Sequence, residues 1–196
     1  MIFLSLGSNL SSLYGNRFEN INLAIELLES YKIIIKKKSS FYESLAYPNK
    51  SDPKFINILV EADTTLPPID LMSVLIFIEE KLGRKRFKKN EPRTCDIDII
   101  DYNEQILNFN YNKLDLVLPH KELESRNFVL YPLQEICPNW KHPKTKEIIT
   151  SLIDKLSNED RKSILKLKKS WYNDSMLNQE DLIKKIKTNN NFFDPK

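Results

Sequence analysis

The order in which apolar spacing changes along the first half of the chain constrains its fold more than any other feature. Residues 1–6, 32–43, 55–64 and 96–102 are short apolar or alternating runs that predict strands. Between them, Ile21, Ala24, Ile25 and Leu28 recur at helical spacing, and Leu71, Leu75, Ile78 and Leu82 form a second such stripe. Thr65, Pro67 and Pro68 supply the start signal of that second helix. In the run 55–64, Ile56, Ile58, Val60 and Ala62 fall on one face, and Phe55, Asn57, Leu59 and Glu61 on the other. Strand, helix, strand, strand, helix, strand is the split βαββαβ pattern. The predicted class is therefore α+β, a ferredoxin-like sandwich with a mainly antiparallel sheet flanked by helices. A hairpin around Asn103 and Glu104, a short strand near 114–118, and helical turns over 120–136 and 146–156 complete an expected domain of residues 1–157. Over 158–196 the sequence turns to Lys, Asn, Asp and Ser with thin apolar periodicity, which predicts a basic, polar C-terminal extension, partly helical or disordered.

Composition excludes several function classes. With only three glycines, Gly7, Gly15 and Gly83, there is no glycine-rich phosphate loop and no dinucleotide fingerprint. A nucleotide here must be held by cations and arginines. The net charge of +3 hints at nucleic acid, but residues 1–143 hold 18 Lys and Arg against 19 Asp and Glu. The basic excess belongs to residues 144–196, with 12 against 8. Cys95 and Cys137 alone make neither a disulfide framework nor a zinc site. No apolar run approaches the roughly 18 residues of a membrane span, and the start lacks the basic segment of a signal peptide. The expectation is a cytoplasmic protein that engages neither membrane nor nucleic acid.

The strongest local signal is Pro92-Arg93-Thr94-Cys95-Asp96-Ile97-Asp98-Ile99-Ile100. On a strand, Asp96 and Asp98 share a face, roughly 7 Å apart by strand rise, while Ile97 and Ile99 anchor the other. Two carboxylates so placed suit a hard cation such as Mg²⁺, which takes oxygen ligands and keeps room for substrate phosphate. An Asp-x-Asp alone is more often a solvated strand face. What distinguishes this one is the basic loop before it, with Arg84, Lys85, Arg86, Lys88, Lys89 and Arg93. Carboxylates with metal ions facing arginines make the charge array that phosphoryl transfer needs.

With these residues in place, the chain resembles the 6-hydroxymethyl-7,8-dihydropterin pyrophosphokinases. The matching pieces are Leu6-Gly7-Ser8-Asn9-Leu10, Ser39-Ser40-Phe41-Tyr42, Phe55-Ile56-Asn57, Ile78-Glu79 leading to Gly83-Arg84, and the Pro92–Ile99 run. Leu118-Pro119-His120, Arg126-Asn127-Phe128 and Pro132-Leu133 follow in family order, covering about residues 1–143. The resemblance implies transfer of the terminal diphosphate of ATP to a reduced pterin in folate biosynthesis. It implies that Asp96 and Asp98 hold two Mg²⁺ ions and that Arg84 and Arg93 stabilise phosphate charge, making these four the expected catalytic residues. Glu79, Arg84, Arg93, His120 and Arg126 would bind ATP. Phe55 and Phe128 would sandwich the pterin, and Asn57 would bond its edge. Ser44-Leu45-Ala46-Tyr47 stands where the family has a Pro- and Gly-containing stretch, and Ser44, Leu45 and Tyr47 are the pterin contacts expected there. The tryptophan common late in the basic loop is absent, Lys89 and Asn90 standing in its place, and Phe87 is the candidate substitute. Lys121 replaces an aromatic after the Pro-His pair. A monomer is expected, with association with the next folate enzyme left open.

Each role has a plainer alternative: core packing for the two phenylalanines, a backbone partner for Asn57, a helix cap for His120. The alternative function is a ferredoxin-like RNA-binding module without catalysis. Such a sheet carries a Lys/Arg-Gly-Phe-type strand with several aromatics, a stretch this chain lacks.

Overall fold

The computed structural model describes residues 1–47, 49–85, 91–111 and 114–168. Arg86, Phe87, Lys88, Lys89 and Asn90 of the basic loop lie outside the described residues, as does the extension from 169 on. Strands β1 (Ile2–Ser8), β2 (Ile34–Lys38), β3 (Tyr42–Ser44), β4 (Phe55–Asp63) and β5 (Asp96–Tyr102) alternate with helices α1 (Arg17–Ser30) and α2 (Pro68–Lys81) as the periodicity predicts. The sheet runs β5-β1-β4-β3, with β2 also on β4, and every neighbouring pair is antiparallel. This is the α+β arrangement expected.

Both faces of the sheet are covered. Ile56, Ile58, Val60 and Ala62 of β4 join Leu4, Leu6, Ile97 and Ile99 under α1 and α2 in one core. On the other face Phe3, Leu59 and Ile100 pack with helices α3 (Asn127–Ile136) and α4 (Ile149–Lys155). The shift between Phe3 and Leu4 in the β1–β5 register makes Ile100 an extra residue, a bulge. Beside it, buried Asp101 accepts the Trp140 indole N–H at 2.8 Å.

Helix α1 starts on a capping box. The Asn16 side chain accepts from the Phe18 and Glu19 amides, and Glu19 accepts from the Asn16 amide at 2.6 Å. Gly15 before it has φ +145, and a Cβ there would sit 2.7 Å from Glu19 Cβ, so the box needs glycine at this turn.

Three expectations are corrected. The strand over 32–43 is broken in two, because Ser39 Oγ takes the Leu59 amide at 3.0 Å and bends the chain between β2 and β3. The turn at Asn103 and Glu104 exists, both with positive φ, but it does not make a hairpin on β5. Strand β6 (Leu107–Tyr111) pairs instead with β7 (Leu114–Leu118), and Leu107, Phe109, Leu116 and Leu118 of this hairpin pack on the first core. Finally, residues 158–168 do not stand apart. Helix α5 (Asn158–Lys162) leads to strand β8 (Ile164–Lys166), which pairs antiparallel with β3, and Leu167 is buried in the first core. The expected boundary after residue 157 thus lies inside the packed structure.

Candidate active site

Pairing across the sheet sets out the site. Asp96, Gly7, Asn57 and Tyr42 stand opposite one another on β5, β1, β4 and β3, and Asp98, Ser5 and Leu59 form the next row. Residues paired in this way share a face, and Leu59 shows that it is the face covered by α3 and α4. Gly7 keeps the lane between Asp96 and Asn57 clear: a Cβ there would lie 3.1 Å from Asn57 Oδ1.

Glu79, Asp96, Asp98 and Glu122 each meet an arginine. Arg84, just beyond α2, contacts Asp96 Oδ1 through Nη1, and the same nitrogen donates to Glu79 Oε1 at 2.5 Å. Glu79 is buried on α2, and its Oε1 also accepts the Ile97 amide at 2.7 Å, tying α2 to the start of β5. Arg93 Nη2 donates to Asp96 Oδ2 at 2.5 Å, and its guanidinium lies 4.8 Å from the Phe55 ring centroid. Arg126 Nη1 donates to Asp98 Oδ2 at 2.7 Å, its Nη2 to Glu122 Oε2 at 2.5 Å, and its guanidinium lies 5.6 Å from the Phe128 ring centroid. Burial disfavours ionisation of Asp96, but the charges of Arg93 and Arg84 overcome it and hold the carboxyl at about 2. Burial likewise works against charge on Arg84 and Arg126, and the acids around them more than restore it.

His120 follows a cis Leu118–Pro119 bond and donates its amide to Ile100 O at 2.9 Å. Its Nδ1 accepts the Glu122 amide at 3.1 Å, so Nε2, 3.9 Å from Asp98 Oδ2, carries the proton of the neutral ring. Burial pushes its pKa below the ordinary value, Asp98 opposing, which keeps the ring neutral at pH 7. The ring thus bonds the turn that leads to Leu123–Ser125, without being the cap residue of that 3-10 helix, while it lies beside Asp98.

Glu79, Arg84, Arg93, Asp96, Asp98, His120 and Arg126 line one cleft of about 360 Å³. The residues expected to meet the pterin are not on that lining. Phe55 and Phe128 reach it through the arginines stacked on them, and each is half-buried. Asn57 is buried, its Nδ2 donating to Ser44 Oγ at 3.0 Å and Tyr42 O at 3.4 Å. Leu45 is half-buried, and Tyr47, 79% exposed, faces solvent. Lys121 pairs at the surface with Asp115 at 2.8 Å. Cys95 is a core residue, its thiol pushed well up by burial.

Sequence reasoning assigned no role to Asn9. Its Oδ1 accepts the Arg93 amide at 2.6 Å and its Nδ2 donates to Pro53 O at 3.0 Å, so it clamps the loops flanking β4 and β5 together. An asparagine just beyond a predicted strand, two residues after a glycine, was the available signal. Glu122, second partner of Arg126, was also missed.

A cleft walled by acids paired to arginines, on an antiparallel sheet with helices on both faces, suits a phosphoryl-transfer enzyme. The family described as 7,8-dihydro-6-hydroxymethylpterin-pyrophosphokinase (HPPK) matches residues 3–138, and the chain belongs to it. The family's reaction, pyrophosphoryl transfer from ATP to hydroxymethyldihydropterin in folate biosynthesis, sets its enzyme class. The chain is 40% identical over 142 residues to the 2-amino-4-hydroxy-6-hydroxymethyldihydropteridine pyrophosphokinase of Aquifex aeolicus, spanning 72% of this chain and 83% of that one. It is 37% identical over 164 residues to the folic acid synthesis protein fol1 of Pneumocystis carinii, covering 84% of this chain but only 21% of that protein. Among solved structures, a Plasmodium falciparum HPPK-DHPS triple mutant superimposes with TM-score 0.62 at 18% identity, over 79% of this chain and 42% of that one. No helix among the described residues is long and apolar enough to cross a membrane.

Proposed function

We propose that this cleft transfers the β,γ-diphosphate of ATP to the hydroxymethyl oxygen of 6-hydroxymethyl-7,8-dihydropterin. The new bond joins that oxygen to the β-phosphorus, and the hydroxyl proton is released to solvent. The bond from the β-phosphorus to the α–β bridging oxygen breaks, and AMP leaves with that oxygen. The observation that carries the reading is the pair Asp96 and Asp98 on one face of β5, each already ion-paired to arginine, with aromatic rings under two of the guanidiniums.

The chain's own residues position and neutralise. Arg84 and Arg93 turn from Asp96 to the phosphates, for which their forked donors are suited. Arg126 and His120 hold the nucleotide on the Asp98 side, and Glu79 fixes Arg84 and the start of β5. Phe55 and Phe128, released from their guanidiniums, take the flat pterin between them, with Asn57 at its edge and Ser44, Leu45 and Tyr47 alongside. The donor set fits Mg²⁺. It offers two carboxylates in a cleft open to phosphate, and among the described residues no three-acid or histidine cage competes for the ion. Asp96 and Asp98 would hold the pair of ions, which supply charge neutralisation on the phosphoryl oxygens when bound. Orientation and electrostatics then supply most of the acceleration. We take the chain to act as a monomer. Because one relative joins HPPK and DHPS in a single chain, association with a neighbouring folate enzyme is the partner we propose.

Incubated with ATP, Mg²⁺ and 6-hydroxymethyl-7,8-dihydropterin, the protein is expected to release AMP in step with pterin diphosphate. Chromatography showing ADP, or intact ATP in the complete mixture, would overturn the proposal. Phe128→Ala is expected to weaken pterin binding by about 1–3 kcal/mol of lost aromatic contact and leave nucleotide affinity nearly unchanged. Calorimetric titration of each ligand tests this, and equal losses for both would return the ring to a purely core role.

A further inference from the structure

We infer that α5 and β8 clip together the two walls of the pterin site, with Asn127 as the positioning residue, an inference that rests on the pterin site proposed above. One wall is the first turn of α3. There Asn127, between Arg126 and Phe128, turns its buried amide away from the cleft. Its Nδ2 donates to Asp160 O at 2.6 Å and Ser163 Oγ at 2.9 Å, both in the C-terminal segment. The other wall is β3 and the loop after it, which carry Ser44, Leu45 and Tyr47. Strand β8 pairs along β3, Ile164 opposite Ser44 and Lys166 opposite Tyr42.

Two side-chain ties run the same way. Glu159 of α5 contacts Lys50 in the loop after β3. Lys166 of β8 lies 3.1 Å from Glu135 of α3, whose other oxygen accepts the Tyr42 hydroxyl at 2.8 Å. Exposed pairs of this kind contribute little on their own. The strand ladder and the buried Asn127 bonds are what fix the spacing, because a buried amide that loses its partners is costly. The segment thus reaches the Phe128 side and the Ser44 side at once. Of the residues assigned to the nucleotide it adjoins only Arg126, the chain neighbour of Asn127, whose guanidinium is held separately by Asp98 and Glu122. None of the contacts described here joins it to Arg84, Arg93 or Asp96, so its influence falls mainly on the pterin.

The test uses the full chain, with pterin and ATP affinities read separately by calorimetry alongside KM, kcat and melting temperature. Asn127→Ala is expected to weaken pterin binding about tenfold, with ATP affinity and kcat at saturating pterin within about twofold. Ser163→Ala should move pterin affinity in the same direction by less, and should add nothing in the Asn127→Ala background. Asn127→Ala with unchanged pterin affinity, or with both ligands weakened in parallel, overturns the inference. If Asn127→Ala does not fold, Ser163→Ala alone decides: a selective pterin loss supports the clip, and none overturns it. A wild-type protein that binds ATP but no pterin overturns the pterin site itself, and the clip with it.

Discussion

Asp96→Asn and Asp98→Asn are each expected to slow AMP formation by about two to three powers of ten while the protein stays folded. An amide keeps the shape of the carboxylate but cannot balance a cation or a guanidinium. Asp96 carries the larger electrostatic load, since Arg84 and Arg93 both close on it. Asp98 answers to Arg126 and stands near His120. Neither acid belongs to a hydrophobic core, because Ile97 and Ile99 anchor the strand from the other face. Steady-state rates within a few-fold of wild type in both variants would remove the carboxylate pair from the chemistry. Circular dichroism keeps a folding defect from being mistaken for a catalytic one.

Glu79→Ala is expected to be the most damaging single change to stability in this region, at about 3 kcal/mol. Glu79 is 2% exposed, and one of its oxygens serves both the Arg84 guanidinium and the Ile97 amide. Its removal leaves a buried N–H without an acceptor and a buried cation with one acid fewer. The loss sits at the low end of the range for broken buried pairs because Arg84 keeps Asp96. For a chain of this length it corresponds to a melting temperature about 6–12 °C lower. Glu79→Gln retains an acceptor for Ile97 and should fall between. Thermal unfolding of the alanine variant within about 2 °C of wild type would mean that the Arg84–Asp96 pair orders this corner without Glu79.

What the sequence carried and what it hid follow from the range of the interactions involved. The faces of β4 and β5 were legible because alternation along a strand is a backbone property: Ile56 and Ile58 lie in one core, Leu59 in the other. Asp96 and Asp98 fell on one face for the same reason. The choice of arginine for each acid was not legible, since Arg126 reaches Asp98 from 28 residues away. The break at Ser39 escaped because one hydroxyl bonding to Leu59 decided it against the β-propensity of the run. The C-terminal strand escaped most completely. Ile164–Lys166 has almost no local pattern, and its structure is conferred by β3 and by Asn127, distant in the chain.

The bend that divides β2 from β3 also divides the outer border of the sheet, and each half is guarded differently against strangers. A bare strand border offers its amides and carbonyls to any passing chain, and copies of one protein add to each other in this way when they aggregate. On the β3 half the border is β8, an outer strand of only three residues that ends in Lys166, a short template for any other chain. The β2 half carries Lys36, Lys37 and Lys38 in succession, the first two also engaged with Asp63 and Glu61. A second copy approaching there must strip water from a row of ammonium groups and bring its own row beside them. This border therefore resists edge-to-edge pairing by two separate devices, a short outer strand on one half and a row of charge on the other.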